Sequence, residues 1–271
     1  DGWLVALDGQ TGREVKRFQI PKHASDMLLF ANLTDNDYLD VIVKNRYSEI
    51  YAYSYTGDLL WELKNEPYPP HYLAHSPLIT NMDSDVYDEV LVGFELLDND
   101  GSHIWKLTNE GFGLTLNEGH LDSAVVFTES NDLESKRIAI TGCGNQWVAM
   151  IDGNGKLIWT IEGEHYEAIN IGNVLGRTDE KQIIVDIDHM RFNISPLQVI
   201  DGSGEIKSEI ITPESRFHTL VSWREGESHD IAIGGAHALY NGHGEILLKF
   251  DFPFSDIPHE TVLFKSDIDN D

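Results

Sequence analysis

The chain has 271 residues, 41% of them apolar and 24% charged, a balance that supports a folded core and weighs against a disordered tail. Its net charge of −27 repels phosphate backbones, so no nucleic-acid partner is expected, and an acidic ligand needs a local cationic or metal-bearing pocket. The single cysteine, Cys143, excludes an intrachain disulfide, and no apolar run approaches the roughly eighteen residues of a membrane span.

Read in chain order, the sequence repeats a unit of about 47 residues. Residues 1–22 carry alternating apolar residues around Asp8-Gly9-Gln10-Thr11-Gly12 and predict the last strands of one unit. The next unit, 23–74, opens at His23, continues through Met27-Leu28-Leu29-Phe30, and reaches a polar loop from Asn32 to Asp40. It closes on the turn Tyr55-Thr56-Gly57-Asp58 before Trp61. Units 75–119, 120–164, 165–217 and 218–258 repeat the order. Each starts at a histidine (His75, His120, His165, His218), and their turns are Asp98-Asn99-Asp100-Gly101, Asp152-Gly153-Asn154-Gly155, Asp201-Gly202-Ser203-Gly204 and Asn241-Gly242-His243-Gly244. Residues 259–271 begin another unit at His259. Asn/Asp-Gly turns between alternating apolar runs are hairpins, because these residues supply the positive φ that tight turns demand. Four short strands per unit predict an all-β chain, a β-propeller of four-stranded blades in one domain over 1–271. It would hold about five complete blades and two partial ones, from a parent ring of seven or eight. Trp61, Trp105 and Trp159, each just after a turn, are expected to pack between blades. Cys143 is expected to be a small buried residue, and His103, His229 and His243, in turns, to be solvated.

The first strand of a propeller blade lines the central channel, so the recurring histidines are expected to ring its mouth. The loops between second and third strands reach the same face. They add Lys44, Arg46 and Tyr47, then Trp147, then Asp186, Asp188, His189, Arg191 and Phe192, and lastly His237. Histidines there suit a transition metal or a general base. The arginines suit a carboxylate, and the aromatics a sugar ring. At the other end, Asn81, Asp83, Asp85 and Asp88 in one loop, and Asp267, Asp269 and Asp271 in another, place oxygen donors at the alternate spacing that suits Ca²⁺. In the loop of the 23–74 unit, Thr34 and Asn36 replace carboxylates.

Three stretches in order, Asp88-Glu89-Val90-Leu91-Val92-Gly93, Leu97-Asp98-Asn99-Asp100-Gly101 and Gly119-His120-Leu121-Asp122-Ser123-Ala124, resemble the rhamnogalacturonan lyases of polysaccharide lyase family 11. The Asp loops resemble FG-GAP-like propeller repeats, and Val5 to Val15 is similar to quinoprotein-type repeats. Leu121 stands where the family has Gly, and Val125 where a further His is common. The resemblance implies a secreted lyase, extracellular or periplasmic, that cleaves an acidic polysaccharide by β-elimination, often with bound Ca²⁺. On this reading His120 or His165 is the base, Arg191 clamps the substrate carboxylate, and His189 is a metal ligand or acid. Arg46, Tyr47, Trp147 and His237 hold the sugar. A non-catalytic propeller binding glycan or protein stays open as an alternative. So does a glycoside hydrolase using carboxylates among Glu95, Asp186 and Asp188. A monomer is expected in each case.

Overall fold

The computed structural model describes residues 2–46, 48–64, 77–83, 85–113, 116, 120–144, 146–176, 180–187, 194–213, 215–226 and 228–251. Tyr47, His75, His189, Arg191, His259, Asp267, Asp269 and Asp271 lie outside the described residues.

Strands β1 (Gly2–Leu7) and β2 (Glu14–Ile20) form a two-stranded antiparallel hairpin. Five four-stranded antiparallel sheets follow, each a simple meander. The first holds β3 (Met27–Ala31), β4 (Asp40–Lys44), β5 (Glu49–Tyr53) and β6 (Leu59–Lys64). The second holds β7 (Leu78–Thr80), β8 (Glu89–Val92), β9 (Glu95–Leu97) and β10 (His103–Lys106). One helical turn, α1 (Asn109–Phe112), capped by Thr108 and Gly113, leads to the third sheet. That sheet is β11 (His120–Thr128), β12 (Arg137–Cys143), β13 (Trp147–Asp152) and β14 (Leu157–Glu162). The fourth is β15 (Tyr166–Gly172), β16 (Gln182–Ile187), β17 (Leu197–Ile200) and β18 (Ile206–Ile210). The fifth is β19 (Thr219–Val221), β20 (Asp230–Ile233), β21 (Ala238–Tyr240) and β22 (Ile246–Lys249).

First strands neighbour first strands: β3 lies beside β7, β7 beside β11, β11 beside β15 and β15 beside β19. The sheets are therefore blades set around an axis with their first strands innermost, a β-propeller. The middle strands β4, β8, β13, β16, β17, β20 and β21 are buried at every position, in keeping with the packing of neighbouring blades against one another. That explains their continuous apolar runs, which lack the alternation of a half-exposed strand. The core is accordingly a series of layers between blades. Ile42, Ile50 and Ala52 of the first blade meet Val90, Val92 and Leu97 of the second. Ala139, Val148 and Met150 of the third meet Ile183, Val185 and Ile200 of the fourth.

The tryptophans close these layers at the rim. The Trp61 indole nitrogen donates to Asn99 O (2.8 Å), that of Trp105 to Gly153 O (3.0 Å) and that of Trp159 to Gly202 O (3.0 Å). Each ring thus lies on the hairpin turn of the next blade, as their position after a turn predicted. Gly101, at φ 81°, is held to glycine twice over, by its backbone and by the ring, since a Cβ there would lie 2.7 Å from Trp61. Gly204 meets Trp159 in the same way at 2.9 Å. Replacing Gly101 by Ala is expected to cost about 2–4 kcal/mol, combining a left-handed alanine with an overpacked contact. A urea midpoint for G101A equal to that of the parent would refute this account of the rim.

Candidate functional site

A cavity of about 260 Å³ opens on the axis where the first strands begin. Its lining comes from four blades: Asp26, Met27 and Arg46 from the first, Asp122 and Ser123 from the third, Glu167 and Ala168 from the fourth, Arg216 and Phe217 from the loop leading into the fifth. Residues nearly 200 positions apart meet here because every first strand starts at the same end of the ring.

On a strand, residues two apart share a face. His120 and Asp122 lie two apart in the chain, as do His165 and Glu167, and each histidine meets its carboxylate. His120 Nε2 lies 2.7 Å from Asp122 Oδ1, and His165 Nε2 lies 3.5 Å from Glu167 Oε1. The other Glu167 oxygen lies 2.6 Å from Arg216 Nε. Ligand atoms of Asp122, His165 and Glu167 fall within 4.8 Å of one another. Both β11 and β15 carry a bulge at the carboxylate, a device that re-aims side chains at functional sites. Arg216 also covers the ring of Phe217 (4.9 Å), and Phe217 holds φ 56°, a backbone state that costs a non-glycine about 1–3 kcal/mol. Across the cavity, Lys44 is fully buried and donates to Asp26 Oδ2 (3.0 Å) and to Arg46 O (3.3 Å). Burial pushes the Lys44 ammonium below its ordinary range, and Asp26 offsets part of that.

The expected ring of histidines is only partly realised. His120 and His165 stand against Asp122 and Glu167, the carboxylates that line the cavity. His23 instead pairs with Glu49 on the third strand β5, more than half exposed. His218 is buried between the fourth and fifth blades, with its ring nitrogens 3.3 Å from Ser215 O and 3.2 Å from Ile184 O. Burial holds its pKa down at about 4, so it is a neutral structural residue. Trp147 was expected as a sugar platform, but it is 1% exposed and packs on Gly142 and Phe94 inside the core. As the first residue of the doubly covered β13 it has no route to the channel. Phe217 is the aromatic that the cavity does present. His237 sits half-buried in the β20–β21 turn at φ 52°, away from the cavity lining. Arg46 lines the cavity.

Glu95 is buried against Lys106 and His103 of β10, so it forms no carboxylate pair with Asp186. His103 is exposed, with its Nδ1 3.3 Å from Glu95 Oε2, and His229 is half-buried, its amide donating to Asn173 O (2.6 Å). Sequence reasoning missed Asp26, Glu167, Arg216 and Phe217. The available signal was an acidic residue two or three positions after each of His23, His120 and His165.

The acidic loop between β7 and β8 differs in its donors from expectation. Asp83, Asp85 and Glu89 bring their oxygens within 4.8 Å of one another. Asp88 instead accepts from Asn32 N of the first blade (2.7 Å), and the Asn81 side chain donates to Asp85 O (2.5 Å). Asp88 is thereby tied to the first blade. Glu89 is fully buried, its Oε2 accepts from Met82 N, and its Oε1 has no hydrogen-bond partner among the described residues. Burial raises the Glu89 pKa to about 7, with Asp83, Asp85 and Asp98 adding to the rise. A cation among these three side chains would relieve that charge, so the donor set fits Ca²⁺. In the first blade's loop, Thr34 and Asn36 bond to each other and Thr34 to Asp40, so side-chain hydrogen bonds close the loop.

No family model and no curated protein matches the chain. Among solved structures it is similar to the exotype rhamnogalacturonan lyase YesX, with a TM-score of 0.61 and 15% identity over 84% of this chain and 41% of that one. It is similar to the rhamnogalacturonan lyase PL11 of Bacillus licheniformis, with a TM-score of 0.61 and 14% identity over 88% and 42%. It is also similar to the Pan2 WD40 domain of Neurospora crassa, with a TM-score of 0.50 and 10% identity over 84% and 66%. The shared feature is the propeller fold. The chain spans less than half the length of these two lyases.

The buried His218 generates a pH prediction. Its folded pKa of about 4 lies below the ordinary 6.5, so the unfolded chain binds the extra proton between those values. Stability is therefore lost as pH falls from about 6.5 toward 4, by up to about 3 kcal/mol. In H218N this part of the loss disappears, which unfolding midpoints at neutral and acid pH would reveal as a flatter profile.

Proposed function

We propose that this chain acts as a polysaccharide lyase on a uronate-containing glycan of the rhamnogalacturonan or rhamnose–uronate kind, working outside the cytoplasm where such polymers occur. The observation that carries the reading is one axial cavity lined by Asp122, Glu167, Arg216 and Arg46, with His120 behind Asp122 and His165 behind Glu167. The likeness in fold to two rhamnogalacturonan lyases supports it.

Elimination removes the proton on the carbon beside the substrate carboxylate. The electron pair left there forms a carbon–carbon double bond and expels the glycosidic oxygen from the next carbon, which takes up a proton. The first need is to make that C–H acidic by countering the carboxylate charge. Arg46 suits that task, since guanidinium matches a carboxylate bidentately and lies opposite the carboxylate cluster. Asp122, His165 and Glu167 would hold a divalent cation, whose N/O donor set suits a transition metal or Ca²⁺, and the cation supplies further positive charge when bound. His120, oriented by Asp122, takes the proton. Phe217 offers an apolar face to the sugar ring. Arg216 holds Glu167 in place and keeps its charge compensated. Asp83, Asp85 and Glu89 form a separate structural Ca²⁺ site at the opposite end of the ring.

Incubation with pectic and other uronate polysaccharides is expected to generate the near-ultraviolet absorbance of an unsaturated uronate. H120A is expected to lower kcat by about 10²–10⁴. Reducing ends without that absorbance would establish hydrolysis instead, and binding without turnover would leave a glycan-binding propeller, a use that the likeness to a WD40 domain also accommodates. Independently, millimolar Ca²⁺ is expected to raise Tm by several degrees through linkage, at roughly 2–4 °C per kcal/mol for a domain of this size. E89Q is expected to abolish the Ca²⁺ increment while raising the metal-free Tm, because it removes a buried uncompensated carboxylate. A calorimetric scan showing the same increment in parent and E89Q would rule the loop site out.

A further inference from the structure

The two bulges at the cavity share one construction. In the third blade Leu121 pairs with Gly142 and Ala124 with Ile140, so Asp122 and Ser123 together oppose Thr141 alone. In the fourth blade Tyr166 pairs with Ile187 and Ile169 with Val185, so Glu167 and Ala168 oppose Asp186 alone. A bulge takes an amide out of the ladder, and a buried amide needs another acceptor. Ser123 N donates to Thr141 Oγ1 (3.0 Å), and Ala168 N donates to Asp186 Oδ1 (2.6 Å). Both acceptors are fully buried.

Thr141 does more than its counterpart. Its hydroxyl donates its one proton to Glu167 O of the neighbouring blade (2.7 Å) while accepting from Ser123 N of its own. A single buried hydroxyl therefore ties the backbone beside Asp122 to the backbone of Glu167, across the boundary between blades. The two bulges carry Asp122 and Glu167, and His165, the third clustered donor, stands two residues before Glu167.

We propose that Thr141 is a positioning residue. Its hydroxyl sets the separation between Asp122 on one blade and His165 with Glu167 on the next, and so governs whether the three can share one cation. Asp186 braces Glu167 from behind through the Ala168 amide. This inference rests on the cation reading of the cluster given above.

The test uses the full chain carrying D83N, so that the distant acidic loop does not contribute, and titrates it with Co²⁺ while recording the visible absorption of the bound ion. Thr141→Val keeps the shape and removes the hydroxyl, and Thr141→Ser keeps the hydroxyl. T141V is expected to bind Co²⁺ about 10–100-fold more weakly, the usual consequence of losing a group that orients metal ligands, and T141S to restore most of the affinity. Circular dichroism and a urea midpoint confirm the fold. Should T141V not fold, Thr141→Ala leaves room for a water on the stranded groups and is expected to show the same loss of affinity. Parent-like affinity in the hydroxyl-free variant, with E167Q abolishing binding, overturns the positioning role and leaves the cation reading intact. Absence of a Co²⁺ spectrum in the parent overturns the cation reading, and the role of Thr141 with it.

Discussion

Packing of one blade against the next is the constraint on which everything else depends. A single four-stranded sheet of this size has two apolar faces and cannot bury either alone. The middle strands are buried at every position and largely apolar, so they depend on the blades packed against them. The tryptophan that ends each of three blades' hairpins adds direction to this packing. Its ring lies flat on the glycine turn ahead, and its indole N–H ends on a backbone oxygen of that turn. This contact sets how far one blade rotates from the next, and hence where the first strands converge.

The convergence creates chemistry that no single blade contains. Asp26, Asp122, Glu167 and Arg216 come from four separate stretches of chain and line one small cavity. The field there differs from that of the molecule as a whole. A net charge of −27 dominates the surface, yet Arg46, Lys44 and Arg216 all sit at or beside the cavity. Local pairing keeps these cations in place: Lys44 on Asp26 and Arg216 on Glu167.

The repeat itself was legible because turn chemistry is local. An Asn/Asp-Gly turn is written in four residues, and its recurrence marked the strand pairs that the sheets contain. The candidate site was less legible. Histidine recurs at one place in the repeat, but its fate depends on what surrounds it. His120 and His165 meet carboxylates two residues on, His23 swings to Glu49, and His218 is sealed between backbone carbonyls. Sequence position alone assigned all of them one role. Trp147 shows the same limit, since a tryptophan next to a loop reads as accessible until the neighbouring blade covers it.

Sequence alone determined the all-β character, the strand order within each blade, the hairpin turns and the inter-blade tryptophans, since each depends on residues a few positions apart. It also marked Asp83 and Asp85 as oxygen donors, because their spacing along one loop is local too. Only the tertiary structure decided that Glu89 rather than Asp88 joins them, that Glu167 and Arg216 belong to the axial cavity, and that bulges aim its carboxylates. Those outcomes depend on distances between blades and on which side of a strand is covered. They are set by packing around the axis, and no stretch of sequence shorter than several blades contains that information.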